Sequence, residues 1–201
     1  GYVLEKAYAR ADDVVIALDA ETGQTLWKAV FPARGVNFQD HKGGPFNMTP
    51  AYSGGRVFAI HTSYHLTAHD AESGKLLWQQ KLSTGRKSLI SNALLAFEGV
   101  VIAPHGPGWS GFDAKTGKLL WKALRGAEVS SFTPWVHKGA AYAIGYDPDH
   151  REETPNRVVC LNARTGEVAW SLPINILTVG RGLGCGGLTV SGDILLASRD
   201  K

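Results

Sequence analysis

The sequence predicts an all-β protein, a β-propeller of four-stranded antiparallel blades, and three observations predict it. A block of the form Ala-x-Asp-Ala-x-Thr-Gly-x-x-x-Trp occurs four times: Ala17 to Trp27 (ALDAETGQTLW), Ala68 to Trp78 (AHDAESGKLLW), Gly111 to Trp121 (GFDAKTGKLLW) and Cys160 to Trp170 (CLNARTGEVAW). Consecutive tryptophans lie 51, 43 and 49 residues apart, a period that marks repeated units which bury their apolar faces only against neighbours. No stretch shows a sustained helical period of apolar residues. Four-stranded units at this spacing match propeller blades, where only short, protected edges remain. A β-sandwich of hairpins is the alternative, but it requires no tryptophan at the same place in every unit.

The elements follow in order, with the strands of a unit called A to D. Unit one, residues 1–32, opens in mid-strand (GYVLEKAYAR), as an internal piece would, and lacks strand A. Unit two, residues 49–82, is the clearest: Thr49 to Tyr52, a Ser53-Gly54-Gly55 turn, Arg56 to Ile60, then Tyr64 to His69 and Lys75 to Gln80. The β-branched and aromatic content of Arg56 to Ile60 predicts a strand buried on both faces. Unit three, residues 92–124, has Leu94 to Phe97, Val100 to Ala103, Gly111-Phe112 and the hairpin to Trp121. Unit four, residues 133–173, has Thr133 to Val136, Ala140 to Ile144, Val158 to Leu161 and the hairpin to Trp170. A fifth unit, residues 187–201, holds Gly187 to Val190, a Ser191-Gly192-Asp193 turn and Ile194 to Ala197. The expectation is one partial domain over residues 1–201, about four and a half blades of an incomplete ring, closed by further sequence or another chain.

The C-to-D hairpin has a mechanism. Asp or Asn at its first position accepts hydrogen bonds from the turn's own backbone, and Thr or Ser adds a hydroxyl. Gly23, Gly74, Gly117 and Gly166 at the fifth position supply the left-handed conformation of a type I turn with a bulge.

Composition excludes several function classes. Net charge is +3 and the 21 Lys and Arg are scattered, with no basic stripe for nucleic acid. No apolar run approaches the roughly 18 residues of a membrane span, and no signal peptide is present in this piece. Charged residues make up 19% and there are 24 glycines, consistent with many tight turns. The two cysteines, Cys160 and Cys185, read as buried thiols, a bridge between adjacent units being the alternative.

The four blocks resemble the quinoprotein-type (PQQ-like) β-propeller family, over about Tyr2 to Asp200. The resemblance implies that Trp27, Trp78, Trp121 and Trp170 are tryptophan-docking residues, each packing on the neighbouring blade. It also implies a small residue at the first position, met by Ala17, Ala68 and Gly111, with Cys160 a mild departure. These positions are structural in the family. One branch of it consists of periplasmic dehydrogenases that bind pyrroloquinoline quinone and calcium. The other is non-catalytic and similar to the outer-membrane assembly lipoprotein BamB. Adjacent cysteines, which the dehydrogenases commonly place beside the cofactor, are absent, since Cys185 lies between Gly184 and Gly186. That departure favours the second branch, with no cofactor, no metal and a periplasmic or cell-envelope location.

In a propeller the D-to-A and B-to-C connections gather on one face, and loops on a rigid scaffold carry function. The longest, Gly35 to Asn47, mixes an acid, an imidazole, amides and aromatics. Its Asn37, Gln39, Asp40, His41 and Lys42 are the first candidates for contact with a protein partner or small ligand. Arg86 and Lys87, Ser130 and Ser131, and Arg181 occupy companion D-to-A positions, and His105 and Trp109 sit on the B-to-C segment PHGPGW. His61, His65 and His69 are spaced by four, but strand, turn and strand break the helical alignment a metal needs. The acidic segment with Asp147, Asp149, Glu152 and Glu153 lacks the glycine turn of an EF-hand and reads as a solvated loop. Gly182 to Gly187 resembles a phosphate loop yet leads into a strand, so no helix N-terminus faces an anion. No local signature marks a Ser, His and Asp nucleophile set. The expected function is therefore a binding or scaffold module, the alternative being a fragment of a quinone- and calcium-dependent dehydrogenase.

Overall fold

Every described residue of the computed structural model lies in a strand or in a connection between strands; these residues are 12–32, 49–61, 63–82, 94–105, 108–123, 135–146, 156–173 and 188–197. Chain order gives β1 (Asp13–Leu18) and β2 (Thr25–Phe31), then β3 (Ala51–Ser53), β4 (Arg56–Ile60), β5 (His65–Asp70) and β6 (Leu76–Lys81). Next come β7 (Leu95–Phe97), β8 (Val100–Pro104), β9 (Trp109–Asp113), β10 (Leu119–Ala123), β11 (Trp135–His137), β12 (Ala140–Tyr146), β13 (Asn156–Asn162) and β14 (Val168–Pro173). β15 (Leu188–Ser191) and β16 (Ile194–Ala197) complete the series. Each sheet is an antiparallel meander in sequence order: β3 to β6, β7 to β10 and β11 to β14 have four strands, while β1–β2 and β15–β16 have two. The short strands β3, β7, β11 and β15 contact one another in series, so they line the axis side of an open propeller.

The inner strands of the second and third units bury both faces, because alternate side chains point to opposite neighbours. In β8, Val101 and Ala103 join Phe58, Ile60, Leu66, Ala68 and Phe112 between the second and third units. Val100 and Ile102 of the same strand join Trp109, Ala141, Leu161 and Ala163 between the third and fourth. Val15 and Trp27 pack on Ala59 between the first and second. The continuous apolar run Val100–Ala103 is thus the sequence form of a strand with two buried sides.

Two turn types hold the opposite end. The A-to-B turns keep glycine in the left-handed region, as at Gly55 (φ 73) and Gly99 (φ 87). The carbonyls of Gly55, Gly99 and Gly139 accept hydrogen bonds from the Ala71, Ala114 and Ala163 amides at 2.8–3.0 Å. Each inner turn is thereby tied to the outer hairpin of its own unit.

Several strand boundaries lie one or two residues from the sequence expectation. β9 begins at Trp109 rather than Gly111, β12 extends to Tyr146, and β13 begins at Asn156. Backbone pairing such as Pro104 with Trp109 and Tyr146 with Asn156 continues past the apolar positions, since ladder hydrogen bonds join main-chain groups and need no apolar side chain, Pro104 having only its carbonyl to contribute.

Candidate functional site

The repeated hairpin is built as its residues predict. Asp113 Oδ1 accepts from the Lys115 and Thr116 amides at 3.0 and 2.7 Å and from the Thr116 hydroxyl at 2.7 Å. These bonds hold its carboxyl below the ordinary carboxylate range, with the Thr116 hydroxyl the largest cause. Asp19 and Asp70 do the same, and Asn162 substitutes its amide oxygen. Gly23, Gly74, Gly117 and Gly166 all have φ between 70° and 75°.

Three of these glycines also meet the indole of the preceding unit. A Cβ on Gly74 would lie 2.6 Å from the Trp27 ring, one on Gly117 2.7 Å from Trp78, and one on Gly166 2.5 Å from Trp121. Trp27 Nε1 donates to the Ala71 carbonyl at 2.8 Å, and Trp78 Nε1 to Ala114 at 3.0 Å. Trp121 departs: its Nε1 is buried with no acceptor among the described residues. Gly111, its cross-strand partner, lets the ring settle where a Cβ would overlap it. Trp170 is 38% exposed against 9% for Trp27. Cys160, opposite Trp170 in the register, is a buried thiol.

A buried polar chain crosses the junction between the first two units, from His61 at the B-to-C end to Gly74 in the C-to-D hairpin. Thr67 is fully buried, and its Oγ1 lies 2.8 Å from His61 Nε2 and 3.0 Å from His69 Nε2. His69 Nδ1 is 3.0 Å from the Gly74 carbonyl. A carbonyl only accepts, so that nitrogen carries the hydrogen and, in the neutral ring, Nε2 accepts from the Thr67 hydroxyl. The Ala59 carbonyl, at 3.4 Å, is the weaker acceptor for the same hydrogen. Thr67 Oγ1 then accepts from His61 Nε2–H, and the chain runs His61 to Thr67 to His69 to Gly74.

His61 faces unit one across this junction. Phe31 stacks on its ring at 4.1 Å and tilts against His65 at 5.4 Å. Asp13 Oδ2 stands 3.7 Å from His61 Nδ1. Burial pushes the His61 pKa down to about 4, outweighing the opposing pull of Asp13, with His69 and His65 adding to the decrease. The ring is therefore neutral near pH 7. Ser63 Oγ lies 3.0 Å from His65 Nδ1, but the acid approaches His61 and the hydroxyl beside His61 is inaccessible. Acid, base and an exposed hydroxyl do not line up for nucleophilic chemistry.

Of the sequence candidates, His105 and Trp109 fall among the described residues. The His105 amide donates to the Gly108 carbonyl at 3.0 Å and closes the third B-to-C connection. Its ring meets Phe112 edge-on at 5.7 Å, and burial, followed by the Lys122 charge, lowers its pKa. Trp109 departs from the expected loop position: it opens β9, is 2% exposed and fills space beside Ala141. It does not present a contact surface. Asn37, Gln39, Asp40, His41, Lys42, Arg86, Lys87, Ser130, Ser131, Arg181, Cys185 and the acidic segment lie outside the described residues. Among the described residues no three His, Cys, Asp or Glu side chains gather as a metal site, and no helix is long and apolar enough to cross a membrane.

Comparison with known proteins adds to this geometry. The family described as outer membrane protein assembly factor BamB matches residues 11–181. Quinohemoprotein alcohol dehydrogenase ADH IIB of Pseudomonas putida is 31% identical over 116 residues, 54% of this chain and 17% of its own length. Polyvinylalcohol dehydrogenase of a Pseudomonas species is 29% identical over 170 residues, 77% of this chain and 23% of its own length. Among solved structures, BamB from Moraxella catarrhalis superposes with a TM-score of 0.64 at 20% identity, over 94% of this chain and 50% of that one. Quinohemoprotein alcohol dehydrogenase from Comamonas testosteroni gives 0.59 at 18% identity, over 80% and 32%. The chain thus spans between 17% and 32% of these dehydrogenases and half of that BamB.

Proposed function

The chain belongs to the family described as outer membrane protein assembly factor BamB, and from that premise we propose that it is a non-catalytic binding or scaffold module of the bacterial cell envelope. It presents the D-to-A and B-to-C connections of one end to a protein partner or small ligand, in the periplasm or on its bounding membranes. The family match over residues 11–181 carries this reading. Buried polar groups support it as well: His61, Thr67 and His69 run from this end toward the C-to-D hairpin, buried and bonded to one another, so they reinforce a scaffold. The opposite end is occupied by tight turns fixed by their own backbone bonds, which leaves the longer connections for recognition.

A photo-crosslinking residue at Asp40 or His41, compared with one at Lys118 in the exposed hairpin of the opposite end, tests the assignment. Capture of a partner in envelope extracts from the first two positions and not from Lys118 is the expected result. Equal capture from both ends refutes the one-sided presentation.

The second reading, part of a quinone- and calcium-dependent dehydrogenase, is favoured by the relatives at 29–31% identity. It expects saturable binding of pyrroloquinoline quinone with calcium and dye-linked alcohol oxidation. Calorimetric titration showing both would replace the first reading with the second.

A further inference from the structure

We propose that the junction between the first and second units is an acid-operated latch: one proton taken up at His61 releases the β1–β2 sheet from the second unit, while the junction between the third and fourth units stays closed. Phe31, the last residue of β2, covers the His61 ring at 4.1 Å. Val15 and Trp27 pack on Ala59, and Trp27 Nε1 bonds to the Ala71 carbonyl at 2.8 Å. Apolar and docking contacts of this kind recur at the next junctions, so the imidazole chain beneath Phe31 is what sets the first one apart. The latch stands whether or not the connection after Phe31 binds a partner.

Bonding leaves His61 one way to take up a proton. Thr67 gives its hydrogen to His69 Nε2 and has only lone pairs for His61, whose Nε2 therefore keeps its own hydrogen. A second proton enters at Nδ1. Asp13 Oδ2, the acid facing that nitrogen, lies 3.7 Å away, beyond hydrogen-bond reach. The new charge would thus sit on a ring that is 2% exposed, without a bond from that acid. Nor can the ring turn out to water alone. The His61 amide donates to the His65 carbonyl at 2.9 Å, and its carbonyl accepts from the Tyr64 amide at 2.8 Å. What can move is the sheet above it. Once β1–β2 lifts, both ring nitrogens reach water and His61 titrates as an ordinary histidine. The open junction binds the proton more tightly than the closed one, so acid favours opening.

The charged and titratable groups around His61 are Asp13 on β1, His65 and His69 on β5, and Lys81 of β6, paired with His65; β2 presents the uncharged Phe31 ring. Burial outweighs the attraction of Asp13. Register confines the effect to this part of the molecule. Ala59 stands opposite Thr67, as Ala103 stands opposite Ser110 and Ala143 opposite Val159. The places of Thr67 and His69 are therefore held by Ser110 and Phe112 in the third unit and by Val159 and Leu161 in the fourth. One residue beyond the β4 ladder, His61 has His105 as its counterpart in the third unit and Gly145 in the fourth. Val159 and Leu161 are at most 5% exposed. At these places the junction between the third and fourth units has nothing that titrates, and it serves as the reference.

Thiol labelling reads each junction separately. Ala59→Cys places a thiol against Val15 and Trp27, and Ala141→Cys places one between the third and fourth units, each in a chain that also carries Cys160→Ala and Cys185→Ala. Protection is the labelling rate of a free peptide thiol divided by that of the buried thiol at the same pH, so the pH dependence of thiol reactivity cancels. His61 has a pKa of about 4 when covered against 6.5 in the open form. Protection in Ala59→Cys should therefore fall about twentyfold from pH 7 to pH 5, and by about eightfold per pH unit around pH 5, the slope of a single proton. Protection in Ala141→Cys should hold. His61→Gln, whose amide still donates to Thr67, should remove the pH dependence and leave the junction protected at pH 7. If that variant opens at pH 7 as well, the slope in the parent and the reference thiol still decide. Unchanged protection at pH 5, equal loss at both thiols as in acid unfolding of the whole chain, or a pH dependence that survives His61→Gln overturns the proposal.

Discussion

Replacing Trp78 with alanine isolates one junction. The substitution removes an indole lying on Gly117, a hydrogen bond of 3.0 Å to the Ala114 carbonyl, and a tilted ring contact with Phe58 at 5.9 Å. Truncating a buried tryptophan costs about 3–5 kcal/mol; this ring is only half-buried, which places the expected loss near 3 kcal/mol. For a chain of this length each kcal/mol moves the melting temperature by about 2–4 °C, so a fall of about 10 °C is expected. Gly117→Ala attacks the same contact from the other side. Its Cβ would stand 2.7 Å from the Trp78 ring at φ +73, adding about 1–3 kcal/mol of overpacking to about 1–2 kcal/mol of backbone strain. Gly54→Ala, with φ +56 and nothing within 4 Å, carries the strain alone. With the indole gone, the overpacking at Gly117 vanishes, so the double variant should be less destabilised than the sum by about 1–3 kcal/mol. Chemical denaturation of the two single variants and the double variant measures this coupling. Strict additivity, or a melting temperature unmoved by Trp78→Ala, refutes the docking geometry.

The remaining expectations concern protonation, the hairpins and the indole donors. His61 has a folded pKa of about 4 against 6.5 unfolded, so between those values the unfolded chain binds more protons. Stability therefore falls as pH drops through that window, by about 3 kcal/mol in full; urea unfolding at pH 7 and pH 5 should show the loss, and His61→Gln should flatten it. The Asp113 carboxyl is held low by its hairpin bonds, so its contribution is present above the ordinary carboxylate range and disappears as pH falls through the depressed value. Asp113→Asn should retain most thermal stability, since Asn162 already does this work in unit four, while Asp113→Ala should not. Trp109→Phe deletes a buried Nε1–H with no acceptor among the described residues, so it should cost only the lost ring volume, with no hydrogen-bond penalty. Trp27→Phe loses similar volume and also leaves the Ala71 carbonyl unpaired, which should add about 1–3 kcal/mol. Equal losses for the two indoles would contradict that distinction.

The hairpins were readable because the bonds that shape the turn are local: Asp113 reaches only two and three residues ahead. The strand series was readable because alternating burial leaves apolar runs such as Val100–Ala103. The convergence of His61 and His69 on Thr67 was not. Counting along the chain puts the histidines eight residues apart, and only the β4–β5 register, with Ala59 opposite Thr67, brings them to one hydroxyl. Trp109 was misplaced for a related reason: Pro104 to Gly108 reads as turn chemistry, and nothing local shows that Ala141 leaves room for an indole across the sheet. The candidate contact residues lie in connections where no repeat constrains the reading, so their chemistry was visible in the sequence while their arrangement was not.

The A-to-B turns at residues 54–55, 98–99, 138–139 and 192–193 are all of one length, and each of the first three is locked to a hairpin of fixed form. The connections at the other end range from the short span between β4 and β5 to the long one between β2 and β3. Insertions and deletions are consequently tolerated at only one pole of the molecule. A grafted epitope or a lengthened loop belongs after β2, β6 or β10, where extra residues leave the frame unstrained, whereas the same insertion between Gly54 and Arg56 would unfasten a blade.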